Sequence, residues 1–300
     1  MTAIDPSVAS DAENPIAVGA PRPRHLLRTL LTTPSGAVGL VLTALVLLAS
    51  MAAWFGLLPY DPIAQHPLDR LVAPSGRYWL GTDQFGRDIL SRSLAGAAGS
   101  LRVAVVAVLL SALVGTAAGM AAGYFGTAVR APVLAATNVL FAFPPLLLAL
   151  ALATMFSRSW FTIAVAIAIV YVPIFVRVAR GPVLSLRETD FVRAAVVLGI
   201  PTGRILFREI LPNIGSVIIV QVTLSLSWAV LTEASLSFLG LGIPAPAPSL
   251  GSMVYEARVL VSTAWWTMAA PGVVIVLFVV GLNLLGDGLR DVLDPRRHQR

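Results

Sequence analysis

The chain has 300 residues, of which 57% are hydrophobic and only 12% charged, with 21 basic side chains against 15 acidic ones and a mean hydropathy of +0.85. A soluble domain carries about 25% charged residues, so an ordinary soluble globular domain is excluded and an all-α membrane protein is indicated. Every basic residue is an arginine, dispersed among the loops, which argues against a nucleic-acid footprint; with no cysteine, disulfides, thiolate metal sites and cysteine nucleophiles are excluded too.

Residues 1–24 are poor in large apolar side chains and rich in Ala and Pro, so 1–28 reads as a disordered tail. The uncharged run 29–60 follows. Ser50-Met51-Ala52 resembles a cleavage site, but the apolar stretch from Gly36 to Pro59 is too long for a signal-peptide core, so a retained transmembrane helix is expected. A polar stretch then leads to YWLGTDQFGRDILSR at 78–92. Gly81 and Gly86 permit tight turns there, beside Thr82, while Asp83, Arg87, Asp88 and Arg92 can interlock as ion pairs and backbone caps. Residues 29–95 are thus expected to form a first span and a structured outer loop.

Five further uncharged runs, 103–129, 131–157, 159–176, 210–232 and 259–286, are each near the ~17–25 residues a crossing needs. With the first they make six spans, within a transmembrane domain placed at 96–287. Gly115, Gly119 and Gly123 repeat on one face of the second span and let a neighbouring backbone approach. Phe143-Pro144-Pro145 should kink the third. The fourth ends at the anchoring residues Arg177 and Arg180. In the fifth, Gln221, Ser225 and Thr232 fall near one face and can line a path or bond a neighbouring helix. Glu233 closes it, either as a functional ionisable group or as a solvated residue at headgroup level. Gln221, Ser225 and Glu233 are the candidates for a translocation path. The run 234–255 is dense in Gly and Pro and reads as an irregular outer or re-entrant segment. Trp265-Trp266 opens the last span, and 288–300 is a basic C-terminal tail.

Between the fourth and fifth spans lies Asp190–Asn213, DFVRAAVVLGIPTGRILFREILPN. It reads as two short helices: Asp190 caps the first, Gly199 ends it, and Pro201-Thr202-Gly203 makes the turn. The second starts near Arg204 and stops before Pro212. This is a handle offered to a soluble partner. With the N-terminus inside, fourteen of the arginines fall on inner segments and seven on outer ones, which puts the handle and both termini in the cytoplasm.

Catalytic equipment is missing. His25, His66 and His298 are scattered, there is no Walker A loop, and neither a serine–histidine nor a paired intramembrane aspartate arrangement is present. A membrane protein without its own energy source suggests one subunit of a larger machine.

Arg193-Ala194-Ala195, Gly199, Ile205 and Leu211-Pro212 resemble the Glu-Ala-Ala motif of bacterial ABC-importer permeases. GTDQFGRDILSR at 81–92, EASLSFLGLG at 233–242, PSLGSM at 248–253 and NLLGDGLRDVLDPR at 283–296 resemble the C-type permease subunit of dipeptide, oligopeptide and nickel importers. Arg193 departs from the family's Glu, Glu209 from a frequent His, Leu250 from Trp, Asn138 from Asp and Ala98 from Arg. The resemblance implies a type I importer fold, a multi-pass protein of the bacterial cytoplasmic membrane, and a non-catalytic subunit. It further implies partners: a second, B-type permease subunit, two ATPase subunits that carry ATP and Mg, and an extracytoplasmic substrate-binding protein. No cofactor is expected on this chain. The substrate class is peptide, with nickel or another small solute as the alternative; a stand-alone channel or carrier and a membrane hydrolase are the competing classes.

Overall fold

The structure, a computed structural model, describes residues 30–293. The expected tail at 1–28, and Arg296, Arg297 and Arg300 of the C-terminal one, lie outside the described residues. Nine helices are labelled here: α1 Pro34–Trp54, α2 Ile89–Tyr124, α3 Thr127–Phe141, α4 Pro145–Met155 and α5 Trp160–Leu186, then α6 Asp190–Val197, α7 Thr202–Phe238, α8 Leu250–Ala257 and α9 Trp266–Leu293. Local chemistry sets several starts. Pro34 occupies the first turn of α1, where no N–H partner is lost. Asp88 caps α2 by accepting from the Ser91 N–H, and Ser159 with Thr162 forms a reciprocal capping box on α5.

Helices α2 and α5 form the central seam. Gly115 lies against Val172 and Phe175, Gly119 against Val176 and Ala179, and Gly123 against Arg180 and Val183. The two series rise together, so α2 and α5 run parallel. The chain between them must therefore return from one end of the pair to the other, and α3 and α4 make that return with a 95° bend between them. The kinked third span is in this way two short helices: Pro144 caps and Pro145 begins the second, which breaks the ladder instead of bending it.

Around the seam, α9 runs antiparallel to α1, with Gly281 against Leu42 and Thr43 and Gly288 against Gly36. It is also antiparallel to α7, with Ser227 Oγ donating to Asn283 Oδ1 at 3.1 Å and Gly286 against Leu224. The core between them is built from small, branched and aromatic residues such as Val103, Ala104, Ala107, Ile167, Phe175, Leu236 and Phe278, all fully buried. Large apolar side chains including Val41, Leu48, Leu113 and Val276 point outward instead, as a bilayer-facing surface requires. Among the described residues five helices are long and apolar enough to cross a membrane, or six if the bent pair counts as one crossing.

Two sequence expectations change. The helix after the handle does not stop before Pro212: α7 is continuous for 37 residues. A wider π turn at Ile205–Ile210 precedes the proline and accommodates its ring and missing donor. The run 159–176, short for a crossing, belongs to the 27-residue α5, because Arg177 and Arg180 continue the helix.

Candidate functional site

The bundle has two ends of chemical interest. One gathers α6, the start of α7 and the ends of α2 and α5; the other gathers the outer loop, the end of α7, α8 and the start of α9.

At the first end, Thr189 rather than Asp190 is the N-cap of α6, with extended backbone at φ −75°, ψ 152°. Its hydroxyl is spent on the Leu186 carbonyl at 2.5 Å, so Asp190 becomes the first helical residue and meets the positive end of the helix dipole. The helix ends at Gly199, φ +70°, where the Ile200 N–H reaches back to the Ala195 carbonyl at 3.0 Å. This is a Schellman closure, which wants glycine at that position. The break then runs through Pro201, and Thr202 and Gly203 are already helical. Gly199→Ala is expected to cost about 1 kcal/mol, since nothing crowds the site but φ is left-handed; thermal unfolding of the purified chain would measure it.

Val192, Ala195, Ile205, Ile210 and Ile214 are buried against Met120, Ala179 and Val183, which makes a second small core under the handle. Ala195 is thus turned inward, and of the two alanines only Ala194 is exposed to an approaching surface. Val196, Val197, Leu198 and Phe207 are exposed beside it, an apolar face that water does not favour. Leu211 is half-buried and Pro212 exposed. Arg193 Nη2 pairs with Glu188 Oε2 at 2.9 Å, and Arg187 Nε with Glu188 Oε1 at 2.9 Å. Hydrogen bonds from Arg193 and Arg187 hold the Glu188 carboxyl below the usual carboxylate range. Arg187 also donates to the Gly123 carbonyl at 3.3 Å, tying the handle to the end of α2.

At the second end, Asp83, Arg87, Asp88 and Arg92 are all buried. Asp83 Oδ1 accepts from the N–H groups of Phe85 and Arg87 at 2.8 and 3.0 Å, and its Oδ2 lies 2.6 Å from Arg87 Nε and 3.4 Å from Arg92 Nε. The second anion is Glu256 of α8, whose Oε2 is 2.9 Å from Arg87 Nη2 and 3.7 Å from Arg92 Nη2. Two cations thus meet two anions, as burial demands. Asp88 serves α2 instead, accepting from the Ser91 N–H and hydroxyl at 2.7 Å each. Gly81 and Gly86 adopt φ of +76° and +75°, and Thr82 bridges to Asp88 and donates to the Asp69 carbonyl at 2.5 Å.

The polar residues of α7 do not form one group. Gln221 Nε2 donates to Ser225 Oγ at 3.0 Å within the helix, and Thr232 bonds the Tyr171 hydroxyl at 2.9 Å. Glu233 is not solvated at headgroup level: it is fully buried, accepting from Ser100 at 2.5 Å and Ser237 at 2.6 Å. The reason is the fold of 239–251, which brings α8 over it, with Gly251 directly against the Ala234 carbonyl and Gly96 of α2 against Leu250. Among the described residues no cluster of His, Cys, Asp or Glu could hold a metal ion.

Residues 115–299 match the family described as the binding-protein-dependent transport system inner membrane component. The chain belongs to this family. It is 42% identical, over 91% of its own length and 90% of the relative's, to the dipeptide transport system permease protein of Alkalihalophilus pseudofirmus. It is 39% identical to the di/tripeptide transport system permease protein of Pseudomonas aeruginosa, covering 87% of this chain and 88% of that one. The glutathione transport system permease protein of Pectobacterium atrosepticum is 40% identical, covering 87% and 86%. A solved structure of the inward-facing MetNI methionine ABC transporter aligns with a TM-score of 0.57 and 19% identity, over 69% of this chain and 97% of that one; it shows the shared fold. As an inner membrane component with several apolar helices, this chain is a multi-pass membrane protein and a non-enzymatic transporter subunit. Membership implies an ATPase and a substrate-binding protein as partners.

Glu256, Ser100, Tyr171 and Asn283 escaped sequence reasoning. Glu256 lies 169 residues from Arg87, and since Asp83 and Asp88 already match Arg87 and Arg92 in number, no local imbalance of charge hints at it.

Proposed function

We propose that the chain is the C-type permease subunit of an ATP-driven importer of small peptides, forming half of the translocation path. The observation that carries this reading is the near full-length likeness to peptide permeases, together with an exposed apolar handle at the root of a continuous 37-residue helix. The proposed assembly adds a B-type permease, two ATPase subunits holding ATP and Mg, and an extracytoplasmic binding protein, in a bacterial cytoplasmic membrane. Six crossings with both termini cytoplasmic suit the parallel α2–α5 pair, since the bent α3–α4 segment must recross between them. In this reading 29–95 holds the first span, its outer loop and the first turns of α2, 96–287 the rest of the transmembrane domain, and 288–300 the last turns of α9, to Leu293, with the cytoplasmic tail beyond.

The handle does the coupling. Ala194, with Val196, Val197 and Leu198 around it, docks in an ATPase cleft; Ala195, Ile205 and Leu211 transmit the push inward, while Gly199 and Pro212 shape the corner. Arg193, held by Glu188, steadies the face. Because α7 runs from this corner to Phe238, a displacement at its root reaches the other end of the bundle as a rigid-body movement. Closure of the ATPases on ATP then favours one of two span arrangements. Gln221 and Ser225 are proposed to face the peptide in one of them, and Glu233 to brace the wall.

The test is Ala194→Arg in the reconstituted complex. Peptide transport and binding-protein-stimulated ATP hydrolysis are expected to fall at least about tenfold, as for loss of some 1.4 kcal/mol or more of coupling, with insertion unchanged. Undiminished transport would sink the docking role.

A further inference from the structure

The outer ion cluster joins two bodies and is unequally built. Asp83 belongs to the outer loop and is fully engaged: both oxygens accept, and its side chain is only 12% exposed. Glu256 belongs to α8, uses one oxygen, and is 34% exposed. When Glu256 turns to water, neither arginine is stranded. Arg87 retains Asp83 and lies over the Phe85 ring at 4.6 Å; Arg92 retains Asp83 and the Pro62 carbonyl at 3.1 Å. The carboxylate itself has solvent within reach. Separation at Glu256 leaves the two buried cations sharing the Asp83 carboxylate, and it costs less than separation at Asp83, which would also take the acceptor from the Phe85 and Arg87 N–H groups.

The bodies on either side are stiff. Gly251 sits so close to the Ala234 carbonyl that α8 must travel with the end of α7. The loop is fixed to the start of α2 by Asp88 and by Tyr60 N–H on Ser91 Oγ at 3.1 Å, and meets α9 where Trp266 Nε1 donates to the Thr82 carbonyl at 3.4 Å. Among the described residues, Glu256 makes the only ion pairs between α8 and the loop and α2.

We propose that Glu256 is a positioning residue: its bond to Arg87 and Arg92 is a releasable tie between α8 and the outer loop, closed in the arrangement described and open in the alternate one. The tie thereby weights the equilibrium that ATP drives. This rests on the proposed permease role, because α7 is the element that carries the displacement to α8.

The experiment uses the complete transporter in proteoliposomes. Glu256→Gln is expected to raise ATP hydrolysis without binding protein several-fold and to shrink the stimulation by loaded binding protein correspondingly. Glu256→Asp restores the native ratio. The chain has no cysteine, so Gly76→Cys and Val259→Cys, both at exposed positions, place two spin labels across the tie with residue 256 intact. Their separation is expected to lengthen by several ångström when ATP is trapped, and Glu256→Gln to shift the nucleotide-free distance toward that value. Identical label distances in both nucleotide states, or an unaltered stimulation ratio in Glu256→Gln, would overturn the tie while leaving peptide transport by the native complex intact. Absence of peptide transport in the native complex would instead overturn the permease reading.

Discussion

Asp83→Ala is expected to destabilise the protein by about 3–5 kcal/mol, the usual consequence of removing one side of a buried ion pair. Arg87 and Arg92, 7% and 2% exposed, would be left sharing Glu256, and Arg92 lies 3.7 Å from it. The N–H groups of Phe85 and Arg87 would lose their acceptor as well. The comparison that isolates the effect is Glu256→Gln, expected to cost less, about 1–2 kcal/mol, because that carboxylate is partly exposed and Asp83 still pairs with both arginines. Thermal unfolding in detergent gives both values, and trypsin cleavage at the loop residues Arg70 and Arg77 reports on the loop itself. Equal midpoints for the two variants would show that the cluster is not divided as its burial indicates.

Gly119→Leu should be comparably severe, at about 3 kcal/mol or more, through overpacking of the seam. A β-carbon at Gly119 would fall 2.5 Å from the Val176 carbonyl oxygen and 2.9 Å from the Ala179 Cβ. Backbone cannot rotate out of the way as a side chain can, so α2 and α5 must separate along a line that also includes Gly115 and Gly123. Gly215→Ala in α7 is the matched control, because no neighbouring element lies within 4 Å of a β-carbon there and no proline follows it. It should be neutral within about 0.5 kcal/mol, or slightly stabilising through helix propensity. Aggregation temperature in detergent distinguishes them; a Gly119 variant as stable as the Gly215 one would mean the seam is not close-packed.

Much of this architecture was legible because hydrocarbon tolerates so few charges. The apolar runs, the Gly–Pro punctuation after Phe238 and the glycine ending α6 all carry local signatures. What failed did so for physical reasons. Charge counting starts the second span at 103, yet α2 begins at Ile89. Arg92 is neutralised by Asp83 of the outer loop and Glu256 of α8, and Arg102 lies over the Trp160 ring at 3.6 Å. Pro212 reads as a helix stop because proline chemistry presumes α geometry, and a π turn suspends that rule. The site at the outer end was half visible: Asp83, Arg87 and Arg92 stand within ten residues, while Glu256 arrives through tertiary structure alone. Glu233 is legible as an unusual residue but not as a buried one, since its cover depends on how 239–251 folds back.

The parallel pairing of α2 and α5 also bears on how the chain is made. A hairpin of neighbouring helices can assemble as soon as its second member leaves the ribosome, but here the matching surfaces are separated by the whole of 125–159. While α3 and α4 are being inserted, the glycine face of α2 has no partner and must rest against lipid or a chaperone. Contacts between distant segments are slow to form because the intervening loop must close first. Newly made chains caught before α5 emerges would expose a narrow, side-chain-free groove, where a membrane protease or a stray helix could bind. Synthesis pauses within 125–159 would lengthen that exposure.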